Sequence, residues 1–142
     1  MEFLLVPAEE KVLPDRYPAH EERANSMAKD ETFSFQLAFY SNAIPYTVKT
    51  ESAIDAFITC YKTDPVPCTF PKYANFDEWY ISDKPFLCPD VLIPLDGSFQ
   101  PRSRIGWNSL RFVVHGKLKA GTYPIHIRLT TPEGEILADT IY

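Results

Sequence analysis

Prolines interrupt this chain so often that few segments escape a breaker: thirteen occur among 142 residues, against five glycines. Proline fixes φ and has no N–H to donate, so it suits turns, strand ends and sheet edges and breaks helix interiors. No window shows sustained helical periodicity; a helical turn is plausible only over Asp15 to Asn25, and Pro18 interrupts it. Many short strands joined by stiff loops are therefore expected. At this length a chain buries roughly two-thirds of the surface it would expose unfolded. With 45% hydrophobic and 14% aromatic residues, that predicts a single domain over residues 1–142 with one core.

Alternation places the strands. From Thr32 to Ser41, Phe33, Phe35, Leu37 and Phe39 alternate with Ser34, Gln36, Ala38 and Tyr40, the pattern of a half-buried strand. A shorter strand is expected at Asn25 to Ala28, with Lys29-Asp30-Glu31 as a turn. Tyr46 to Thr50 and Ile54 to Tyr61 follow, closed by the breakers Pro65-Val66-Pro67 and Phe70-Pro71. Between Pro71 and Arg104 the pattern fades into a long proline-punctuated loop. It keeps so much apolar weight that it is expected to wrap the sandwich or lie against a neighbour.

The C-terminal third predicts a hairpin. Leu110, Phe112 and Val114 form one apolar set and Tyr123, Ile125, Ile127 and Leu129 another, with Lys117 to Ala120 between them. Pairing Gly116 with Gly121 brings both apolar faces into one register. The turn Thr131-Pro132-Glu133-Gly134 leads to a last strand that runs to Tyr142 without a polar terminator, so the polypeptide is expected either to be cut from a longer one or to be followed normally by a further domain. Seven to nine strands with turns at such spacing make an all-β, antiparallel β-sandwich.

Little in the chain reads as chemistry. In the hairpin register His126 pairs with Arg111, four residues from His115, separating the two rings by about 13 Å at 3.3 Å per residue. That excludes a shared metal, and both read as surface histidines; His20 lies in a charged, solvated stretch. The carboxylate pairs Asp77 with Glu78 and Asp90 with Asp96 could in principle serve a glycosidase. Adjacent strand residues point apart, however, and Asp96-Gly97 reads as a turn. Phosphate-loop, nucleophile-elbow, zinc and calcium motifs are lacking. No catalytic residue, metal or cofactor is expected. Scattered basic residues and a net charge of -5 argue against nucleic acid and anionic membranes.

Cys60, Cys68 and Cys88 lack metal-ligand spacing, and the odd count is expected where thiols stay reduced. With no signal peptide visible, a cytoplasmic setting is favoured. Cys60 and Cys68 could face each other across a hairpin turning through Lys62 to Pro67, making a disulfide conceivable; two buried thiols are the simpler reading. The aromatic reserve outside the regular strands includes Tyr73, Phe76, Trp79, Tyr80 and Trp107. Such rings cover a core edge, stack on sugar faces or dock on a partner.

Ala24-Asn25, Asp30-Glu31-Thr32-Phe33-Ser34-Phe35-Gln36-Leu37, the segment Cys88-Pro89-Asp90-Val91-Leu92-Ile93-Pro94-Leu95-Asp96, and Leu118-Lys119-Ala120-Gly121-Thr122-Tyr123 together resemble the N-terminal domain of glycoside hydrolase family 123. The resemblance runs from about Lys11 to the end and departs from the family pattern at Cys88 and Val91. It implies an immunoglobulin-like or jelly-roll-like sandwich preceding a TIM barrel that carries the catalytic carboxylates. Family members hydrolyse glycosidic bonds of N-acetylgalactosamine with help from the substrate's acetamido group, and those catalytic residues map to nothing here. The chain is thus expected to be a non-catalytic accessory domain partnered by a downstream catalytic barrel, with Tyr73, Trp79, Tyr80, Leu92 and Trp107 as interdomain or sugar-contact candidates. A free-standing carbohydrate-binding module and a protein-interaction sandwich are the alternatives.

Overall fold

The computed structural model describes residues 2–69, 79–97 and 100–142. Among the described residues, eight strands form two antiparallel sheets. They are β1 (Phe3–Pro7), β2 (Phe33–Asn42), β3 (Thr47–Glu51), β4 (Ile58–Cys68), β5 (Phe86–Pro94), β6 (Ile105–Val114), β7 (His126–Thr130) and β8 (Ile136–Ile141), with one 3-10 turn at Asp55–Phe57. The larger sheet runs β1-β2-β6-β4-β5 and the smaller β3-β7-β8. Their apolar faces meet in a core of Phe35, Leu37, Phe39, Leu110 and Phe112 from the large sheet against Ile127, Leu129, Leu137 and Ala138 from the small one. The expected β-sandwich is present.

β2 is buried on both faces, because its alternation serves two layers. Phe35, Leu37 and Phe39 face the small sheet. Ala38 and Gln36 face outward, where residues 8–18 lie across the sheet as a strap. Gln36 shares its amide N–H groups among the carbonyls of Pro7, Ala8 and Glu10 (2.9–3.1 Å) and accepts the Ser109 hydroxyl at 2.6 Å. A buried amide with its donors and its acceptor used is a strong local constraint. Arg111 donates to the Ala8 carbonyl and the Trp107 N–H to that of Pro14, fastening the strap further along.

Several expectations are corrected. No hairpin joins 110–114 to 123–129. β6 already has β2 on one edge and β4 on the other, so the chain crosses to the second sheet and its apolar set faces that of β6 across the core. His115 and His126 consequently lie on different sheets. Residues 25–28 form no strand; the turn at 29–31 does form, with Asp30 at φ 64 and the Glu31 N–H bonded to the Ala28 carbonyl. No helical turn forms over 15–25 either. The apolar start of the chain makes the edge strand β1, paired from Phe3 to Pro7 with β2.

The breakers Pro65 and Pro67 sit inside β4. β6 pairs only as far as Thr63, so beyond it β4 has β5 as its one partner, and a proline can turn its missing donor to the vacant edge. Cys60 and Cys68 are thus eight residues apart on one strand, about 26 Å at 3.3 Å per residue, and cannot be bridged. All three cysteines are free thiols. The predicted 71–104 loop likewise contains the edge strand β5, with a bulge opposite Asp64 and Pro65. The turn at 131–134 forms as expected, with Gly134 at φ 90.

Candidate functional site

Five strands cannot be covered by three. The uncovered part of the large sheet is its β4-β5 side, and two surfaces of interest arise there. One is an apolar surface along 79–92. Trp79 is 89% exposed and Leu92 45%, and Ile81, Leu87 and Val91 are exposed beside them in sequence. The bulge in the β4–β5 pairing disturbs the strict alternation of faces, and apolar residues point outward from both sides of β5.

The second is a cleft of about 420 Å³ between β3, β4 and residues 95, 97, 100 and 101, lined among others by Tyr46, Val48, Thr50, Ile58, Cys60 and Leu95. Burial pushes the Cys60 thiol up to about 12. Burial also raises the Tyr46 phenol, aided by the neighbouring Cys60 and Asp64. At neutral pH both are protonated, so the cleft holds neither a thiolate nucleophile nor a phenolate base. Beside it, Asp64 is paired with Lys62 at 2.7 Å and reached by Arg104 at 3.7 Å.

Alkylation checks this directly. Iodoacetamide at pH 8 is expected to modify Cys60 on the order of a hundredfold more slowly in the native protein than after unfolding, because only the thiolate reacts. The folded state also keeps a proton that the unfolded thiol, near its ordinary value of 9.0, releases. Stability is therefore unaffected below about pH 8 and declines as pH rises from about 9 towards 12. Equal alkylation rates in the two states would contradict the burial.

On the outer face of the small sheet, His126 hydrogen-bonds the Asp139 carboxylate, while its other ring nitrogen lies 3.9 Å from Glu51. Arg128 holds the second Asp139 oxygen at 3.1 Å. The His126 hydrogen bond first, then Arg128, keeps Asp139 below its usual carboxylate range, and the Lys49 hydrogen bond does the same for Glu51. Both are ionised at neutral pH, so neither is the protonated acid that glycoside cleavage needs. Asp90 is exposed on β5 and Asp96 lies at the bend before Gly97. Asp77, Glu78, Tyr73 and Phe76 lie outside the described residues. Among the described residues no three His, Cys, Asp or Glu side chains gather around a possible metal position, and no helix is long and apolar enough to cross a membrane.

The remaining candidates divide. Trp79 and Leu92 are on the exposed surface and Tyr80 is half-buried. Trp107 is corrected: it is 6% exposed, packed with Val6, Val12 and Ala38, and met edge-on by Tyr17 at 5.1 Å. The strap encloses its ring, which therefore offers no face to a sugar. Val12 and Leu13, an apolar pair within a charged stretch, were the sequence signal for that cover.

No protein-family model matches the chain, and no curated protein matches it. Among solved structures it is similar to a chain from a study of glycolipid glycan hydrolysis by a family 123 glycoside hydrolase of Clostridium perfringens. The two share 14% identity at a TM-score of 0.54, over 80% of this chain and 20% of that one. At that identity the likeness is one of fold, and this chain spans about a fifth of that chain's length.

Proposed function

We propose that this chain is a non-catalytic accessory β-sandwich domain of a glycoside hydrolase, packing against and supporting a TIM-barrel catalytic domain downstream in the same polypeptide. The observation that carries this reading is the likeness of fold to one fifth of a family 123 hydrolase chain. The exposed apolar residues Trp79, Ile81, Leu87, Val91 and Leu92 also support it, since apolar side chains left in solvent along one segment suit a contact with a neighbouring domain.

Trp79→Ala with Leu92→Ala tests the packing. In the isolated domain these exposed positions are expected to shift stability by no more than about 0.5 kcal/mol. In the longer polypeptide the same pair is expected to cost about 2 kcal/mol or more, as buried anchors of an interface do. Unchanged melting of the longer polypeptide would reject docking there.

The exposure of Trp79 favours a second reading, a carbohydrate-binding module. Trp107 is enclosed, so fluorescence quenching by an N-acetylgalactosamine oligosaccharide would report Trp79 alone. An accessory packing domain is expected to show no saturable quenching in isolation.

A further inference from the structure

Trp107 is enclosed, but two rings that meet it are not. Tyr40 lies opposite it in the β2–β6 register, on the outer face of the large sheet, and Tyr17 reaches it from the strap. Both contacts are T-shaped, Tyr17 at 5.1 Å and 80° and Tyr40 at 5.9 Å and 78°. Tyr17 is 56% exposed and Tyr40 43%. The same face continues one step along the two strands, where Ile105, 72% exposed, is in register with the exposed Asn42. Among the described residues no hydrogen bond engages the hydroxyl of either tyrosine or the amide of Asn42.

These groups are set in place before anything binds. Tyr40 and Ile105 belong to paired strands, and both tyrosines rest on an indole whose own backbone is held, the Trp107 N–H donating to the Pro14 carbonyl at 2.9 Å. The rings therefore lose little freedom when a ligand arrives. That bond also shows what this face already accepts. The strap is an irregular segment with prolines at positions 14 and 18, the second of them buried, and it fastens beside Trp107 through a proline carbonyl. Tyr17, Tyr40, Ile105 and Asn42 carry a surface of the same kind past the edge of the strap.

We propose that Tyr17, Tyr40, Ile105 and Asn42 form a docking site for a proline-rich peptide segment in the polyproline II conformation. Such a segment has no internal hydrogen bonds and its prolines have no N–H, so it presents apolar rings and unpaired carbonyls. It calls for apolar surface and donors together. The site supplies both: phenol rings and Ile105 for the prolines, two hydroxyls and an amide for the carbonyls. The spacing agrees. Both phenol centres lie within 5.9 Å of the indole centre and so at most about 11 Å from each other, while residues one turn apart in a polyproline helix are separated by about 9 Å. A glycan fits less well, since the most exposed member of the site, Ile105, has no ring for a sugar to stack on. This inference is independent of the glycosidase reading.

The test uses the 142-residue chain and blocked octaproline, read through the indole N–H signals of Trp107 and Trp79 in NMR. Because both tyrosines pack on the Trp107 indole, millimolar octaproline is expected to shift that signal saturably and to leave that of Trp79 in place. Tyr17→Ala with Tyr40→Ala is expected to weaken binding at least tenfold, as the loss of aromatic anchors does. Should that pair fail to fold, Tyr17→Phe with Tyr40→Phe keeps the rings against the indole, removes both donors and is expected to weaken binding at least threefold. The proposal is overturned if octaproline produces no saturable shift, if a blocked octapeptide of alternating glycine and serine produces the same one, or if the altered protein binds as tightly as the unaltered. It is overturned equally if an N-acetylgalactosamine oligosaccharide moves the Trp107 signal and octaproline does not, or if that signal moves with protein concentration alone, since the occupant is then a glycan or a second copy.

Discussion

Phe35→Ala is expected to lower the unfolding free energy by about 3–5 kcal/mol, the range for truncating a fully buried aromatic ring. Phe35 has no exposed surface and lies near the start of β2. Its ring stacks on Tyr142 at 3.8 Å with a 2° interplanar angle and on Phe112 at 5.2 Å. The void cannot easily collapse. Tyr142 donates its hydroxyl to the Glu22 carboxylate at 2.8 Å and pairs through its backbone with Ile125, so both ends of that side chain are held. Phe112 sits in β6, which is paired on both edges. Domains of this size are typically stable by about 5–15 kcal/mol, so the substitution removes a large share of the total. Urea unfolding should show it, with Phe33→Ala, a half-buried neighbour on the same strand, costing less. A loss below about 1 kcal/mol at Phe35 would mean that the two sheets do not close on this ring.

That core was legible in part, and the limit has a physical form. Alternation states which side of a strand is apolar, and on that basis Phe33 to Phe39, 110 to 114 and 125 to 129 all show their core faces in the sequence. It does not say which strand lies beside which. The apolar sets of β6 and β7 satisfy a hairpin register and a face-to-face contact across the core equally well. What decides between them is that β2 and β4 occupy both edges of β6, a property of the assembled sheet. The same holds for Pro65 and Pro67, which read as breakers until β6 is seen to stop at Thr63.

The candidate surfaces divide along the same line. Apolar weight without alternation in 79–92 signals exposure, because residues that serve no single face have no single layer to enter. The enclosure of Trp107 was hidden, since the ring itself looks the same in either role and its cover comes from Val12 and Tyr17, about ninety residues away.

Gly106→Ala is expected to be the most damaging single-methyl change in the chain. Gly106 adopts φ +100, a region that L residues rarely occupy, and a Cβ there would lie 2.2 Å from the Pro14 carbonyl oxygen. Gly97 separates the two penalties, since it has φ +85 but, among the described residues, nothing within 4 Å of the added carbon. Gly97→Ala should therefore cost about 1–2 kcal/mol, the backbone term alone. Gly106→Ala should cost about 3–4 kcal/mol, because the strap must also move and give up the Trp107 N–H bond to Pro14. Displacing the strap admits water to the indole, so the emission of Trp107 should shift to the red in the still-folded variant. The shift should be absent in Gly97→Ala. Equal losses in the two variants, with Trp107 emission unmoved, would show that residues 8–18 yield freely, and that Gln36 and Arg111 alone decide where the strap lies.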